Sequence, residues 1–468
     1  MTEELQSNLS LEDMDRHSLF HGYTSIAQHD KDGPFILDRG SGINITGHDG
    51  KEYLDAVAGL WCVNLGWGRR EIIGAISAQL EKLSYYHIFT SLSNEPAIRL
   101  AHRILQLTPP NMSKVFFGNS GSDANDTNVK LVWYYNNLRG RPEKRKIISR
   151  EFAYHGVTIG AGSLTGLPMV HKLFNLPIAD VLHVEKPHHY WNAPEGQSEA
   201  AYSEDLAERL DQRIRAEGPE TVAAFIAEPV MGAGGVVVPP EGYFAEVQRV
   251  LKKHDVLFLV DEVICGFGRT GNWFGCETFG IEPDIMSLAK GLTNGYIPMS
   301  ASVVSDEIWD VLQKSSEDIG AFGHGFTYSA HPVAAAAGLA VLDVMEREST
   351  VRNADRVGAY FQRRLRETFG AHPLVGEVRG VGLMAAVELV ADKANKIAFD
   401  PGLKLGPRLA KKCLEEGMIV RALFQSTAIG FSPPLIVDRA QIDDIIERFE
   451  RALDVFEREI AAEGLSGA

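Results

Sequence analysis

An α/β fold is predicted for this 468-residue chain: a mostly parallel sheet flanked by helices, joined to a smaller α+β domain. Three observations predict it. Short runs rich in Val, Ile, Leu and Phe recur through the middle of the chain: "KVFFG", "RKIISR", "VAAFIAEP", "VLFLVDEV" and "DIMSLAKG". Being apolar on both faces, they suit central strands of a parallel sheet covered on each side. Helical patterns lie between most of them, the alternation expected of an α/β chain. The texture then changes after about Pro332, to long amphipathic helices interrupted by "VGEVRGVGLMAAVEL" and "GMIVRAL".

Taken in order, the first 20 or so residues read as a loosely held arm. "GPFILDRGSGINITGHDGKEYLDAVAG" reads as short strands separated by Gly and Asp turns. A helical pattern runs from about Arg70 to Leu83. A second runs from about Asn94 to Leu107 and stops before Pro109 and Pro110. The five strand-like runs and their helices follow. "PVAAAAGLAVLDVM", Pro332 to Met345, is apolar but short of the roughly 20 residues a membrane span needs, so it reads as a buried helix. Residues 1–74 are assigned to the arm and part of the small domain, 75–325 to the large domain, and 326–468 to the C-terminal small domain. Both chain ends would thus build the small one. No internal repeat is evident.

Composition narrows the function. A formal charge of −16 argues against a nucleic-acid partner, which needs clustered Lys and Arg. Hydrophobic residues at 45% and charged residues at 23% are those of a soluble globular enzyme. The four cysteines, Cys62, Cys265, Cys276 and Cys413, are scattered with no CxxC pair. That fits free thiols in a reducing cytosol, and no metal is expected. The polar, acidic N-terminus has no apolar core of a signal peptide. No membrane partner and a cytoplasmic location are expected.

The chemistry gathers around Lys290, in "DIMSLAKGLTNGY". A lysine at the exit of an apolar strand can be a plain surface residue; a functional lysine needs partners. Asp261 ends the strand "VLFLVD" 29 positions earlier. Ligands of such sheets collect at the carboxyl ends of strands, where both residues fall. In "FFGNSGSDANDTNVKL" a strand enters a Ser/Gly turn and a helix opens at about Ser122. A helix start is an anion site, although Ser-Gly-Ser also caps helices with no ligand, and Asp123 can serve the helix dipole instead. "REFAYHG" places Tyr154 and His155 after the next strand. Together these describe pyridoxal 5′-phosphate: a phosphate at the helix start, a ring against Tyr154, Asp261 at the pyridinium nitrogen, and Lys290 as the amine for its aldehyde. A lysine's reference pKa of about 10.4 would fall in a desolvated site beside a cationic ring.

The motifs "NSGSDAND", "AYHG", "AEPVMGAGG", "LVDEVICGFGRTG", "PDIMSLAKGL" and "GFTYSAHP" together resemble class III pyridoxal-phosphate aminotransferases of fold type I, with a seven-stranded-type sheet. "MDRHSLFHGYTS", "LDAVAGLWCVNLGWGR" and "MIVRAL" resemble more closely the ω-aminotransferases that use amines with pyruvate. The resemblance runs from about Leu11 to the last helix. It implies that Lys290 is the Schiff-base lysine and proton shuttle and that Asp261 holds the ring nitrogen. Val263 would press on the ring face opposite Tyr154. Ser120, Gly121 and Ser122 would bind the phosphate, with Thr327 reaching the phosphate of a neighbouring subunit. Glu228 would order the polar network beside the cofactor. Tyr23, Trp61, Phe89, Tyr154, Ala233 and Ile264 would line the substrate site, and Arg421 would grip a carboxylate; its alternative is a salt bridge within the small domain. The family more often has Glu where this chain has Asp123. His87 and His155 are read as hydrogen-bonding residues.

The reaction expected is ping-pong transamination from an amine or ω-amino acid to pyruvate, giving alanine, in a homodimer with shared active sites; a tetramer is left open. Diamines, β-alanine-like ω-amino acids and taurine are plausible donors. The contexts of Trp61 and Arg421 favour these over a narrower ornithine- or 4-aminobutyrate-type enzyme. The resemblance suggests S-selectivity. Rival readings are an isomerase (aminomutase or racemase) or decarboxylase on the same scaffold, or a non-enzymatic protein that kept the fold.

Overall fold

The structure, a computed structural model, describes residues 9–424 and 427–465. Its centre is a seven-stranded sheet in the spatial order Met112–Gly118, Ser300–Ser305, Ile285–Leu288, Leu257–Asp261, Val222–Ala227, Lys146–Arg150, Val181–Val184. Ser300–Ser305 runs antiparallel to both its neighbours; the other pairs are parallel. Every residue of Val222–Ala227, Leu257–Asp261 and Ile285–Leu288 is buried. Burial on both faces is why these strands read as unbroken apolar runs. Ser300–Ser305 is equally buried, yet its sequence "SASVVS" carries no such run.

Helix Gly121–Leu138 packs on this sheet. It begins one residue before the expected Ser122, because Ser120 is its cap. Ser120 Oγ accepts the N–H of Asp123, and the Asp123 carboxylate accepts the N–H of Ser120 in return. This reciprocal pair satisfies donors that a helix start otherwise leaves open. The run read as a buried helix is one: Pro332–Arg347 lies against helices Arg70–Lys82 and Glu95–Leu107. Gly338 permits the close approach, since a Cβ there would meet Leu100 Cδ2 at 2.9 Å. Among the described residues no helix is long and apolar enough to cross a membrane.

The two chain ends meet in a second region. Strands Leu37–Ser41, Asn44–Gly47 and Glu52–Asp55 form a meander whose last strand pairs in parallel with Met418–Ile419. A further antiparallel sheet joins Val375–Val381, Met384–Leu389, Ala428–Phe431 and Arg421–Ala422. Helices Thr350–Phe369, Leu405–Glu415 and Arg439–Ala462 bury their apolar faces with these strands in one cluster, which also draws in Ile43, Leu54 and Ala56.

The arm is more ordered than its polarity suggested. Ser10 caps a helix, Leu11–Ser18, by accepting the Asp13 N–H, with acidic residues in the first turn and basic ones in the last. Both matches favour the helix dipole. A second helix spans Ile26–Asp32. Neither buries a residue. The rest of the expected arm, residues 1–8, lies outside the described residues.

The small region depends on a fully buried ring, Phe449, in edge contact with Phe369 and Phe431 at 5.0 Å each. Phe449→Ala is expected to destabilise by about 3–5 kcal/mol. A denaturant titration followed by tryptophan fluorescence reads this as a lowered midpoint. A loss below about 1 kcal/mol would show that this cluster does not hold the region.

Candidate active site

Sheet register brings Asp261 and Lys290 together. Strands Leu257–Asp261 and Ile285–Leu288 are parallel neighbours with Asp261 opposite Ser287, three residues before Lys290. Both side chains therefore emerge at the same carboxyl edge. The chain turns sharply there: Lys290 has φ +44°. A non-glycine residue in that region costs roughly 1–3 kcal/mol and persists only where its surroundings impose it. The following Gly291 lets the turn seat, because a Cβ there would meet Asn64 Nδ2 at 2.6 Å.

The edge opens into a cavity of about 290 Å³. Its walls include Ser120, Gly121, Ser122, Tyr154, Glu228, Asp261, Val263, Ile264 and Lys290. The Lys290 amine has no hydrogen bond or ion pair among the described residues, although Asp261 and Glu228 share the cavity with it. Asp261 is instead fully engaged from behind. Its Oδ2 accepts from Asn125 Nδ2 at 2.8 Å and from His155 Nδ1 at 2.8 Å, and its Oδ1 accepts from Val263 N at 3.1 Å. Asn125 is itself pinned, since its Oδ1 accepts from Ser287 Oγ at 2.6 Å and its Nδ2 also reaches the His155 carbonyl. Ser287 Oγ accepts from Asn128 in turn.

At the other end, the Asp123 carboxylate takes the N–H groups of Asn119 and Ser120. The N–H groups of Gly121 and Ser122, in the first helical turn, keep no partner among the described residues. They point where an anion is favoured by the helix dipole. Ser122 Oγ accepts from Val157 N at 3.1 Å, which ties the loop carrying Tyr154 to this helix start. A Cβ at Gly156 would come within 2.4 Å of Ser122 Oγ, so this crossing admits only glycine.

Two acids flank the centre. Glu228 is buried, accepts from Tyr154 N at 3.3 Å and Gly232 N at 3.2 Å, and burial pushes its carboxyl up. Glu262 is also buried and accepts from the N–H groups of Gly275 and Cys276; burial pushes it up to about 7.

Several expected residues stand at the rim. Tyr23 OH lies 3.4 Å from Tyr154 OH, and its ring centre is 5.5 Å from that of Phe424. The Arg421 guanidinium sits 5.1 Å from the centre of the Trp61 ring and 5.3 Å from that of Phe424. It pairs with no carboxylate among the described residues, and its Nε is buried without a partner. Burial lowers its pKa from the usual value. Trp61 is buried and packs in one cluster with Ile264 and Leu423. Ala233 is buried in the turn next to Gly232 and does not line the cavity. Phe89 and Thr327 lie outside it too. Tyr85 OH donates to the Thr327 carbonyl at 2.9 Å, and the Phe89 ring covers Gly325.

Sequence reasoning missed Asn125, Asn128 and Ser287, which hold Asp261 in place. The available signal was "SDANDTN": Asn125, Thr127 and Asn128 are fully buried polar residues inside a helix, and such groups are buried to be hydrogen-bonded. Cys62 and Thr293 also line the cavity unpredicted.

The residues fit pyridoxal 5′-phosphate. The open N–H pair and small side chains at Ser120–Ser122 suit a phosphate, Tyr154 and Val263 offer walls for a ring, Asp261 is a fixed anion, and Lys290 is an amine free of partners.

Known proteins agree. Residues 25–453 match the family Aminotransferase class-III. The chain is 49% identical over 465 residues to a diaminobutyrate–2-oxoglutarate transaminase of Halomonas elongata, covering 98% of this chain and 99% of the relative. It is 45% identical over 421 residues to a chloroplastic gamma-aminobutyrate transaminase 3 of Solanum lycopersicum, covering 90% of this chain and 80% of that one. The ω-transaminase of Pseudomonas jessenii, solved in complex with PMP, superposes with a TM-score of 0.95 at 47% identity, over 98% of this chain and 100% of its own. The protein belongs to the class-III aminotransferases, fold type I enzymes that use pyridoxal 5′-phosphate.

Proposed function

We propose that this aminotransferase moves an amino group from an amine or ω-amino acid to pyruvate by a ping-pong reaction. The observation that carries the proposal is the setting of Arg421. It is an arginine at an aromatic rim with no carboxylate bound to it, and no arginine lines the cavity itself among the described residues. One guanidinium grips one carboxylate, in a paired, bidentate fashion. That suits a keto acid with a single carboxylate. A dicarboxylate such as 2-oxoglutarate needs a second cation, and Lys290 is committed to chemistry. On the donor side the names of the relatives support ω-amino acids, 4-aminobutyrate and diaminobutyrate among them. An ω-transaminase variant among the structural neighbours, engineered for the synthesis of bulky amines, supports amines as a class.

Bound pyridoxal 5′-phosphate supplies an aldehyde and an electron sink. The chain's residues do the remaining work. The first turn of helix Gly121–Leu138 holds the phosphate. Asp261, held by three donors, is placed to pair with a protonated ring nitrogen. Tyr154 and Val263 hold the ring plane. Lys290 Nζ takes the proton from the donor Cα. In this reading Phe89 and Thr327, which lie outside their own chain's cavity, complete the site of a second subunit, making the enzyme a homodimer.

Three outcomes are expected. In an absorbance titration, an excess of (S)-1-phenylethylamine shifts the visible band of the holoenzyme to shorter wavelength, and pyruvate restores it. Restoration by 2-oxoglutarate alone would overturn the choice of acceptor. Arg421→Ala is expected to slow the pyruvate half-reaction roughly 10- to 150-fold, the worth of about 1.5–3 kcal/mol in charged hydrogen bonds. The phenylethylamine half-reaction should change by less than about threefold, having no carboxylate to lose; equal loss in both, read by stopped flow, would remove Arg421 from substrate binding. Lys290→Ala is expected to retain the cofactor while turnover falls by about 10²–10⁴, the usual contribution of a positioned base. Turnover within tenfold of the parent would reassign the base.

A further inference from the structure

The arm carries a cluster that the reaction does not use. Asp15 in helix Leu11–Ser18 lies between two imidazoles. His21 Nε2 is 3.0 Å from both carboxylate oxygens, and His29 Nε2, on helix Ile26–Asp32, is 2.9 Å from Oδ1. The two rings are 4.5 Å apart. One ligand atom from each residue lies within 4.8 Å of the other two, and among the described residues this is the one such group of three. The cluster is partly shielded: the side chains of Asp15, His29 and His21 are 14%, 13% and 32% exposed.

We propose that Asp15, His21 and His29 form a binding site for a borderline divalent cation, with zinc as the natural occupant. Two imidazoles and a carboxylate are a ligand set zinc accepts, with a fourth position left to water. Metal–ligand bonds of about 2.0–2.1 Å place tetrahedral ligand atoms about 3.3 Å apart. The two histidine–carboxylate separations, 3.0 and 2.9 Å, are within a few tenths of an ångström of that, and the two histidine ligand atoms lie within 4.8 Å of each other. The ion replaces the two Nε2 protons that now face the carboxylate, so each imidazole passes to its Nδ1–H form and remains neutral. The adjoining cavity, lined by His17, Thr24 and Asp30 beside His21 and His29, gives the ion a path in.

The arm has a physical need for such a tie. Its helices are eight and seven residues long and bury nothing. Isolated helices below about 12–15 residues are marginal in water. Short units without a core are commonly held by a metal. Between the two helices lies Tyr23, with φ +56°, whose hydroxyl meets Tyr154 at the cavity. An ion joining Asp15 to His29 closes the loop that carries Tyr23 and fixes it over the active site.

The test is zinc retention by the holoenzyme. The protein is stripped with a chelator, exposed to zinc, passed over a desalting column and assayed for metal. Wild type is expected to keep one zinc per chain. Asp15→Asn and His29→Ala should each weaken binding at least about 100-fold, with the cofactor spectrum unchanged as proof of folding. Replacing zinc by cobalt should give visible ligand-field bands in wild type that both variants lack. Zinc should also slow proteolysis of the arm in wild type alone. If wild type retains no zinc, or both variants retain it equally, the proposal is overturned and the cluster is a hydrogen-bonded clasp only.

Discussion

A carboxylate at the end of the central strand organises this active site. Asp261 is 3% exposed. Removing an ionised carboxylate from water costs several kcal/mol even after the protein relaxes, so its oxygens must be met by donors. The three donors come from three different segments: Asn125 from helix Gly121–Leu138, His155 from the loop after strand Lys146–Arg150, and the Val263 N–H from the turn after strand Leu257–Asp261. Satisfying one anion therefore fixes the anion-binding helix start, the aromatic loop and the wall opposite it. Asn125 extends the constraint to Ser287, and so to the strand that delivers Lys290. Because both oxygens of Asp261 are met by donors, the carboxylate is held in place before any ligand arrives. Preorganised charge of that kind needs no rearrangement when charge develops in the reaction.

The neighbouring acids show the opposite case. Glu228 and Glu262 are as deeply buried as Asp261, but neither meets a cationic hydrogen-bond partner among the described residues; backbone N–H groups serve them instead. Burial raises both. A raised group favours its neutral form more than an exposed carboxyl would.

Much of this was legible in the sequence, for reasons that also explain the rest. Strands buried on both faces must be apolar throughout, so Val222–Ala227 and Leu257–Asp261 were visible as runs. Ser300–Ser305 was not, since a strand closely packed on both faces can be built from serine and alanine, whose small side chains carry little hydropathy. Lys290, Asp261 and the Ser-Gly-Ser turn were readable because each sits at an element boundary. Asn125 and Ser287 were not, because Asn125 meets both Asp261 and Ser287 across more than a hundred residues of chain and both look like ordinary polar residues. The same holds for Asp15, His21 and His29, spread over three segments with no fixed ligand spacing. Only the fold of the arm brings them together, and a reading that expected the arm to be loose could not find them.

The setting of Arg421 turns on a small difference of energies. A buried guanidinium without a partner would be costly, and burial does lower its pKa. The two rings beside it supply an alternative to a carboxylate. A cation against an aromatic face gains about 0.5–2 kcal/mol, depending on desolvation. A charged hydrogen bond to a carboxylate gains about 1.5–3 kcal/mol. The two states thus differ by roughly 1 kcal/mol, a few-fold in population. With Trp61 and Phe424 in place, the arginine neither demands a carboxylate nor is left exposed without one. A fixed salt bridge at this position would have tied the guanidinium down and made its release expensive. Under the proposed function, the aromatic rim would leave one cation able to serve a keto acid in one half-reaction and to stand aside for an amine in the other.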